Sequence, residues 1–89
     1  MQVIKIWAAW CAWCIVMKPI WRDIEAENPW LKTTFYDFDD DAAAIEKHHV
    51  TGNLPVFIFL DNQWEEIERL HGEFSRKDLL SKIETLKNK

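Results

Sequence analysis

Two cysteines, Cys11 and Cys14, are the residues of this sequence whose type and spacing suit them best to chemistry. They follow the run QVIKIW at positions 2–7, whose β-branched and aromatic residues predict a strand. From Cys11 to about Glu27 the apolar residues recur with helical spacing, so the pair opens a helix. Unpaired N–H groups and partial positive charge at a helix N-terminus stabilise a thiolate, the reactive form of cysteine.

This placement predicts different tasks for the two thiols. We expect Cys11 to be partly exposed and to act as the nucleophile, because it lies at the helix N-terminus. Cys14 lies one turn further along the helix, where it can attack a mixed disulfide formed on Cys11. Two intervening residues let such sulfurs bond with little backbone movement. The pattern therefore predicts a redox-active Cys11–Cys14 disulfide and no bound cofactor.

The rest of the chain alternates strands and helices, which predicts an α/β fold. After the first strand and helix we expect, in chain order, a strand at 33–38, a helix at 42–49, strands at 55–60 and 64–70, and a last helix that begins near Ser75. The order is β-α-β-α-β-β-α, and the first two strands should be parallel with a right-handed crossover. With 89 residues and no linker, the chain 1–89 should form a single domain.

Composition excludes several other classes of function. The net charge is −4 and the basic residues are scattered, so we expect no nucleic-acid partner. No run of 18 apolar residues exists, so we expect no membrane span. The start at Met1 lacks the features of a signal peptide, which favours the cytoplasm. Two cysteines alone do not make the disulfide scaffold of a small secreted domain.

Three segments and one proline, in this order, resemble features of thioredoxins. The run WAAWCAWC at 7–14 is similar to their Trp-Ala-x-Trp-Cys-x-x-Cys active-site segment, and Pro19 matches the proline that kinks the following helix. The run VTGNLP at 50–55 resembles the segment that carries their cis-proline, and LHGEFS at 70–75 resembles their closing segment. The resemblance extends from about residue 3 to residue 86.

The resemblance implies a fold and a set of site residues. The fold would be thioredoxin-like, with a four-stranded mixed sheet in the order 2-1-3-4, strand 3 antiparallel to strand 1, the first and last helices on one face and the middle helix on the other. Leu54 and a cis Pro55 would lie beside Cys11, and the Leu54 backbone would pair with an extended substrate. Trp10 would shield the thiol and guide the substrate. Trp13 lies between the cysteines, where it either contacts the substrate or only packs.

The implied activity is the reduction of disulfides in proteins or small molecules. Cys11 would attack, Cys14 would release the reduced product, and an electron-donor reductase would restore the dithiol. We expect disulfide-containing protein substrates and a monomeric chain. The alternatives are a glutaredoxin-like enzyme that depends on glutathione, and a non-catalytic binding module with a thioredoxin fold. A further hypothesis is that the two cysteines form half of a zinc site. The sequence offers few additional ligands for zinc, so we expect no metal.

Three departures from thioredoxins affect these expectations. We expect the chain to lack the strand and helix that precede this segment in thioredoxins, and its inter-cysteine dipeptide is Ala-Trp. Lys5 stands where thioredoxins carry a buried aspartate, and Phe35 stands where they carry a lysine. Lys5 either relays a proton to Cys14 or packs its aliphatic stem against apolar surface and extends its ammonium into water.

The remaining polar and aromatic residues have structural interpretations. We expect Asp39–Asp41 to supply an N-cap, and His48 and His49 to lie at a helix end. The tryptophans outside the cysteine motif are expected to pack in the core: Trp7, Trp21, Trp30 and Trp64.

Overall fold

The computed structural model describes residues 1–87, in which four strands form one sheet flanked by three helices. In chain order the elements are β1 (Gln2–Trp7), α1 (Ala12–Glu27), β2 (Lys32–Asp37), α2 (Ala42–Lys47), β3 (Val56–Leu60), β4 (Glu66–His71) and α3 (Arg76–Leu86). This order confirms the predicted β-α-β-α-β-β-α arrangement.

The strand order in the sheet is β2-β1-β3-β4, as the resemblance implies. β1 runs parallel to β2 and antiparallel to β3, and β3 runs antiparallel to β4. β1 and β3 are therefore the central strands, and all of their residues are buried. Strands covered on both faces are apolar throughout instead of alternating, which explains the run VFIFL in β3.

The helices cover the two faces of the sheet as predicted. α1 and α3 share one face, where Trp21 of α1 packs against Phe57 and Phe59 of β3 at ring-centroid distances of 5.2 and 6.5 Å. α2 covers the other face, where its C-cap residue His48 lies 6.3 Å from the ring of Tyr36 in β2. The largest apolar side chains therefore lie between the sheet and α1, the helix that begins at the paired cysteines.

The hairpin between β3 and β4 differs from the prediction. β4 begins at Glu66, and Trp64 is 62% exposed with a positive φ of 65° instead of packing in the core. The cause is Asp61, whose carboxylate accepts the N–H groups of Gln63 at 2.8 Å and Glu65 at 3.0 Å. This wider turn places Trp64 in the left-handed region, so its side chain faces solvent.

Two further side chains lie elsewhere than predicted. Trp30 is 47% exposed because it lies in the turn between α1 and β2, whereas Trp7 and Trp21 are buried as expected. Asp41 occupies the N-cap of α2, but its carboxylate accepts the N–H of Asp37 at 2.7 Å and caps no helix N–H. The aspartates after β2 therefore order the loop that precedes α2.

Candidate active site

The carboxyl end of β1 leads directly into the paired cysteines. A turn is closed by a hydrogen bond from the N–H of Cys11 to the carbonyl oxygen of Ala8, at 3.1 Å. Cys11 is the N-cap residue of α1, and its Sγ accepts the N–H of Cys14 at 3.2 Å. The sulfur thus occupies the position of an N-cap oxygen, so a thiolate formed there receives a hydrogen bond from the first turn of the helix.

Both thiols are free in this structure, and both are buried. Cys14 is fully buried and Cys11 is 6% exposed, so the prediction that Cys11 is partly exposed was wrong in degree. The tertiary packing explains this, because Cys11 belongs to the same buried cluster as Ala8 and Leu54. Of the two sulfurs, the one at position 11 is still the more accessible to a substrate.

The environment of Cys14 favours its protonated form. Burial raises the pKa of the Cys14 thiol to about 12, and the hydrogen bond with Cys11 and the negative charge of a Cys11 thiolate act in the same direction. A backbone hydrogen bond at Ala8 and the positive charge of Lys18 oppose that rise in the pKa. Cys14 is therefore a thiol at neutral pH, which leaves Cys11 as the candidate nucleophile of the pair.

Leu54 and Pro55 lie at the same end of the sheet as the cysteines. Ile6 of β1 pairs with Val56 of β3, so Pro55 lies one residue further along, next to the end of β1. The Leu54–Pro55 peptide bond is cis, Leu54 is 8% exposed and Pro55 is fully buried. The carbonyl oxygen of Pro55 accepts the N–H of Gly72 at 2.9 Å, which ties this segment to the end of β4.

Two tryptophans expose large apolar surfaces beside Cys11. Trp10 is 60% exposed and Trp13 is 54% exposed. The indole of Trp10 is held in place, because its Nε1 donates to Asp39 Oδ2 at 2.9 Å and its ring meets Phe38 edge-on at 6.1 Å. Exposed and partly fixed aromatic surface of this kind is typical of residues that contact a partner.

Lys5 is buried, and its ammonium does not extend into water as one of the two interpretations held. Its Nζ donates to Glu25 Oε2 at 2.7 Å, and Oε1 of the same carboxylate accepts the hydroxyl of Thr33 at 2.6 Å. The strand thus supplies the cation and α1 supplies the carboxylate. The structure therefore places Lys5 in a largely buried ion pair between β1 and α1.

Sequence reasoning missed three residues at this site. Lys18, four residues after Cys14 on α1, was detectable because residues at this spacing share a helix face. Glu25 follows Lys18 by two further turns, on the same side of the helix. Asp39 had no local signal, because it reaches Trp10 across 29 positions of sequence.

The described residues contain neither a metal cluster nor a membrane span. Within residues 1–87, no group of three or more His, Cys, Asp or Glu side chains is placed to hold a metal ion. In the same part of the chain, none of the helices has the length and apolar character needed to cross a bilayer.

The fold and the cysteine pair at the start of α1 are those of thioredoxin-fold thiol–disulfide oxidoreductases. The family model for thioredoxin matches residues 1–85. The chain therefore belongs to the thioredoxin family, which confirms the resemblance and the predicted fold. No curated protein matches the sequence.

Solved thioredoxin structures are similar to this one over most of its length. The thioredoxin of Fasciola hepatica is 26% identical with a TM-score of 0.85, over 94% of this chain and 78% of that one. A thioredoxin of Nicotiana alata is 26% identical with a TM-score of 0.85, over 94% of this chain and 70% of that one. A thioredoxin of Arabidopsis thaliana, in its oxidised state, is 25% identical with a TM-score of 0.80, over 96% of this chain and 73% of that one.

Proposed function

We propose that this protein reduces disulfide bonds in protein substrates, with Cys11 as the nucleophile and Cys14 as the resolving thiol. The observation that carries the proposal is the unequal environment of the two sulfurs. Cys11 Sγ accepts a helix N–H at 3.2 Å, whereas burial raises the pKa of Cys14 to about 12. A pair arranged in this way attacks through its first sulfur and keeps its second sulfur protonated until the mixed disulfide has formed.

The reaction has two exchange steps. The Cys11 thiolate attacks one sulfur of the substrate disulfide, the substrate S–S bond breaks, and the sulfur that leaves takes up a proton. Cys14 then loses its proton and attacks Cys11 Sγ, which releases the second substrate sulfur as a thiol. The substrate gains two electrons and two protons, and the protein is left with a Cys11–Cys14 disulfide. A reductase partner, or a small dithiol in the assay, returns the disulfide to the dithiol, and no other cofactor is needed.

The substrate would lie across the surface formed by Trp10, Trp13 and the Leu54–Pro55 segment. The two tryptophans supply exposed apolar area, and the segment adjoins the end of β1 from which the cysteine turn starts. An extended substrate would pair with the backbone of Leu54, as a short added strand. Trp13→Ala should raise KM for a protein substrate and leave the rate with a small disulfide unchanged; equal effects on both would assign Trp13 to packing.

The resolving step needs an acceptor for the Cys14 proton, and we propose the Lys5–Glu25 pair as the relay. The support is its position in a groove that also contains Lys18, the cation that acts on the pKa of Cys14. Lys5→Ala and Glu25→Gln should slow release of a trapped mixed disulfide and hardly change alkylation of Cys11. Unchanged release kinetics in both variants would contradict the relay.

The central test is the turnover of insulin reduction with dithiothreitol. Wild type should exceed the uncatalysed rate, and both Cys11→Ser and Cys14→Ser should abolish the excess. With dithiothreitol left out, pre-reduced Cys14→Ser should accumulate a mixed disulfide with insulin, because the variant has no second thiol to resolve it, whereas Cys11→Ser should accumulate none. A wild-type rate equal to that of Cys11→Ser would instead favour a non-catalytic binding module.

Further measurements address the electron donor, the compartment and the oligomeric state that we propose. Turnover that requires glutathione and fails with a thioredoxin-reductase-type donor would favour the glutaredoxin-like alternative. We propose a cytoplasmic monomer, and sedimentation velocity at assay concentrations should give the mass of one chain, while cell fractionation locates the protein.

A further inference from the structure

A groove opens between α1 and β1. Its volume is about 330 Å³, and it is lined by Lys5, Trp7, Lys18, Arg22 and Glu25. Three of these residues are cationic and one is a carboxylate, so the lining has an excess of two positive charges. The chain as a whole has a net charge of −4, so this lining, named the cationic groove hereafter, is opposite in sign to the protein around it.

The inner end of the cationic groove has a buried cation with unused hydrogen-bonding capacity. The side chain of Lys5 is 10% exposed, and an ammonium has three N–H donors. Glu25 accepts one of them at 2.7 Å and has its other oxygen occupied by Thr33, so within residues 1–87 two donors of Lys5 have no protein acceptor. Buried donors of a charged group are costly without a partner, so a ligand with acceptor oxygens fits here.

The outer end of the cationic groove has two cations on consecutive turns of α1. Lys18 and Arg22 stand four residues apart, a spacing at which like charges repel and weaken a helix. Neither forms an ion pair with another residue of the described part of the chain. The ammonium groups of Lys18 and Lys5 lie 5.8 and 5.3 Å from the ring centre of Trp7, so both are within cation–π range of the same indole.

We propose that the cationic groove is a binding site for a small dianion of the phosphate type. Arg22 would donate two parallel hydrogen bonds to two oxygens of the dianion, and Lys18 would add a positive charge. Lys5 would donate a hydrogen bond from the buried end of the groove. The dianion would balance the two excess charges of the lining. A volume of about 330 Å³ leaves room for a phosphate together with an attached organic group.

Occupancy of the cationic groove has a consequence for the resolving thiol, and this part rests on the proposed function. Lys18 lies four residues after Cys14 on the same side of α1, and its positive charge, the smallest of the causes that act on the pKa of Cys14, opposes the rise in that pKa. A bound dianion offsets that charge, so fewer Cys14 thiolates form and the mixed disulfide is released more slowly. Because Lys18 is exposed, we expect a modest effect, a slowing of about two- to fivefold.

The site itself is tested by titrating the reduced chain of residues 1–89 with inorganic phosphate at constant ionic strength, with chloride as the balancing anion. In ¹H–¹⁵N correlation NMR spectra, the signals of the Trp7 indole N–H and of the amides around Lys18 and Arg22 should shift, and these shifts should saturate as phosphate is added. Lys18→Gln combined with Arg22→Gln should weaken binding about tenfold or more, and both positions are on the surface, so the fold should be kept. Lys47→Gln combined with Lys77→Gln removes the same charge elsewhere and should leave binding unchanged.

Shifts that do not saturate, or equal affinity in the two double variants, would overturn the site. The effect on Cys14 is measured separately, as the alkylation rate of Cys14 in Cys11→Ser with and without saturating phosphate. A slowing of about two- to fivefold is expected, and an unchanged rate with binding intact would overturn the coupling. Neither measurement depends on insulin turnover, so failure of the proposed reductase activity would be recognised independently.

Discussion

Replacing Cys11 with alanine should make Cys14 more reactive, although it removes the nucleophile of the pair. Two of the causes that raise the pKa of Cys14 come from Cys11, namely its hydrogen bond and its negative charge. Both disappear in Cys11→Ala, while burial, the largest cause, remains. The pKa of Cys14 should therefore fall from about 12 and stay above its ordinary value of 9.0.

The size of the effect follows from the ionised fraction. With a pKa of about 12, about one Cys14 in 10⁴ is a thiolate at pH 8, whereas a thiol at the ordinary 9.0 would have about one in ten. Ionisation alone thus makes Cys14 of the wild type about 10³-fold slower to alkylate than the same cysteine in the unfolded chain. Each unit by which Cys11→Ala lowers the pKa raises the rate about tenfold.

The assay is timed reaction with iodoacetamide, followed by mass spectrometry of the peptides. In the wild type only the early products that are modified at Cys14 and not at Cys11 are counted, because modification of Cys11 changes the environment of Cys14. The Cys14 rate should rise about tenfold for each pH unit from 7 to 10, with no plateau. Cys11→Ser keeps a hydrogen-bonding group without the charge, so its rate of Cys14 alkylation should lie between those of the wild type and Cys11→Ala. Slower alkylation of Cys14 in Cys11→Ala than in the wild type would refute the reasoning.

Three other predictions concern stability, each measured by urea unfolding. The free energy of unfolding of the reduced protein should fall from pH 9 towards pH 12, at a slope approaching about 1.4 kcal/mol per pH unit. The reason is that the unfolded chain releases the Cys14 proton at a lower pH than the folded chain. The oxidised protein, whose Cys14 has no proton to release, should lack this loss. Trp21→Ala should lower the free energy of unfolding by about 3–5 kcal/mol, since the ring is fully buried, and a loss below 1 kcal/mol would contradict the packing. Lys5→Met should cost about 1–3 kcal/mol by leaving Glu25 without its cation, and adding Glu25→Gln should restore much of the loss, whereas additive effects would show that the pair is uncoupled.

The parts of the fold that the sequence predicts are those with local signals. The order of the elements followed from runs such as QVIKIW and from the helical spacing after Cys11, and the resemblance to thioredoxins added the order of the strands. The same holds for the site, because the spacing of the cysteines and the approach of a strand to a helix N-terminus are visible in the sequence. The structure places Leu54 and Pro55 at that end of the sheet as well.

The expectations that failed depended on contacts between distant residues or on one side chain in a turn. Trp64 was expected in β4, but the carboxylate of Asp61 widened the hairpin and turned the indole outward. Cys11 is buried in a core cluster that also includes Leu54, from a different part of the chain. The interpretation in which the Lys5 ammonium reaches water failed because its partner, Glu25, lies 20 residues away in the sequence. Patterns of apolar spacing contain no information about such pairings.

The position of Glu25 also explains how this chain accommodates a lysine at a buried position of its central strand. A buried ammonium needs a carboxylate, and the neighbouring strand offers Phe35 at the position beside Lys5. The carboxylate comes instead from α1, on the helix side that also bears Lys18. One helix therefore positions the resolving thiol, the cation that opposes the rise in its pKa and the carboxylate that neutralises the strand lysine. Because all three are fixed to one helix, their relative positions do not depend on loops, and a change in the charge of Lys18 changes the pKa of Cys14.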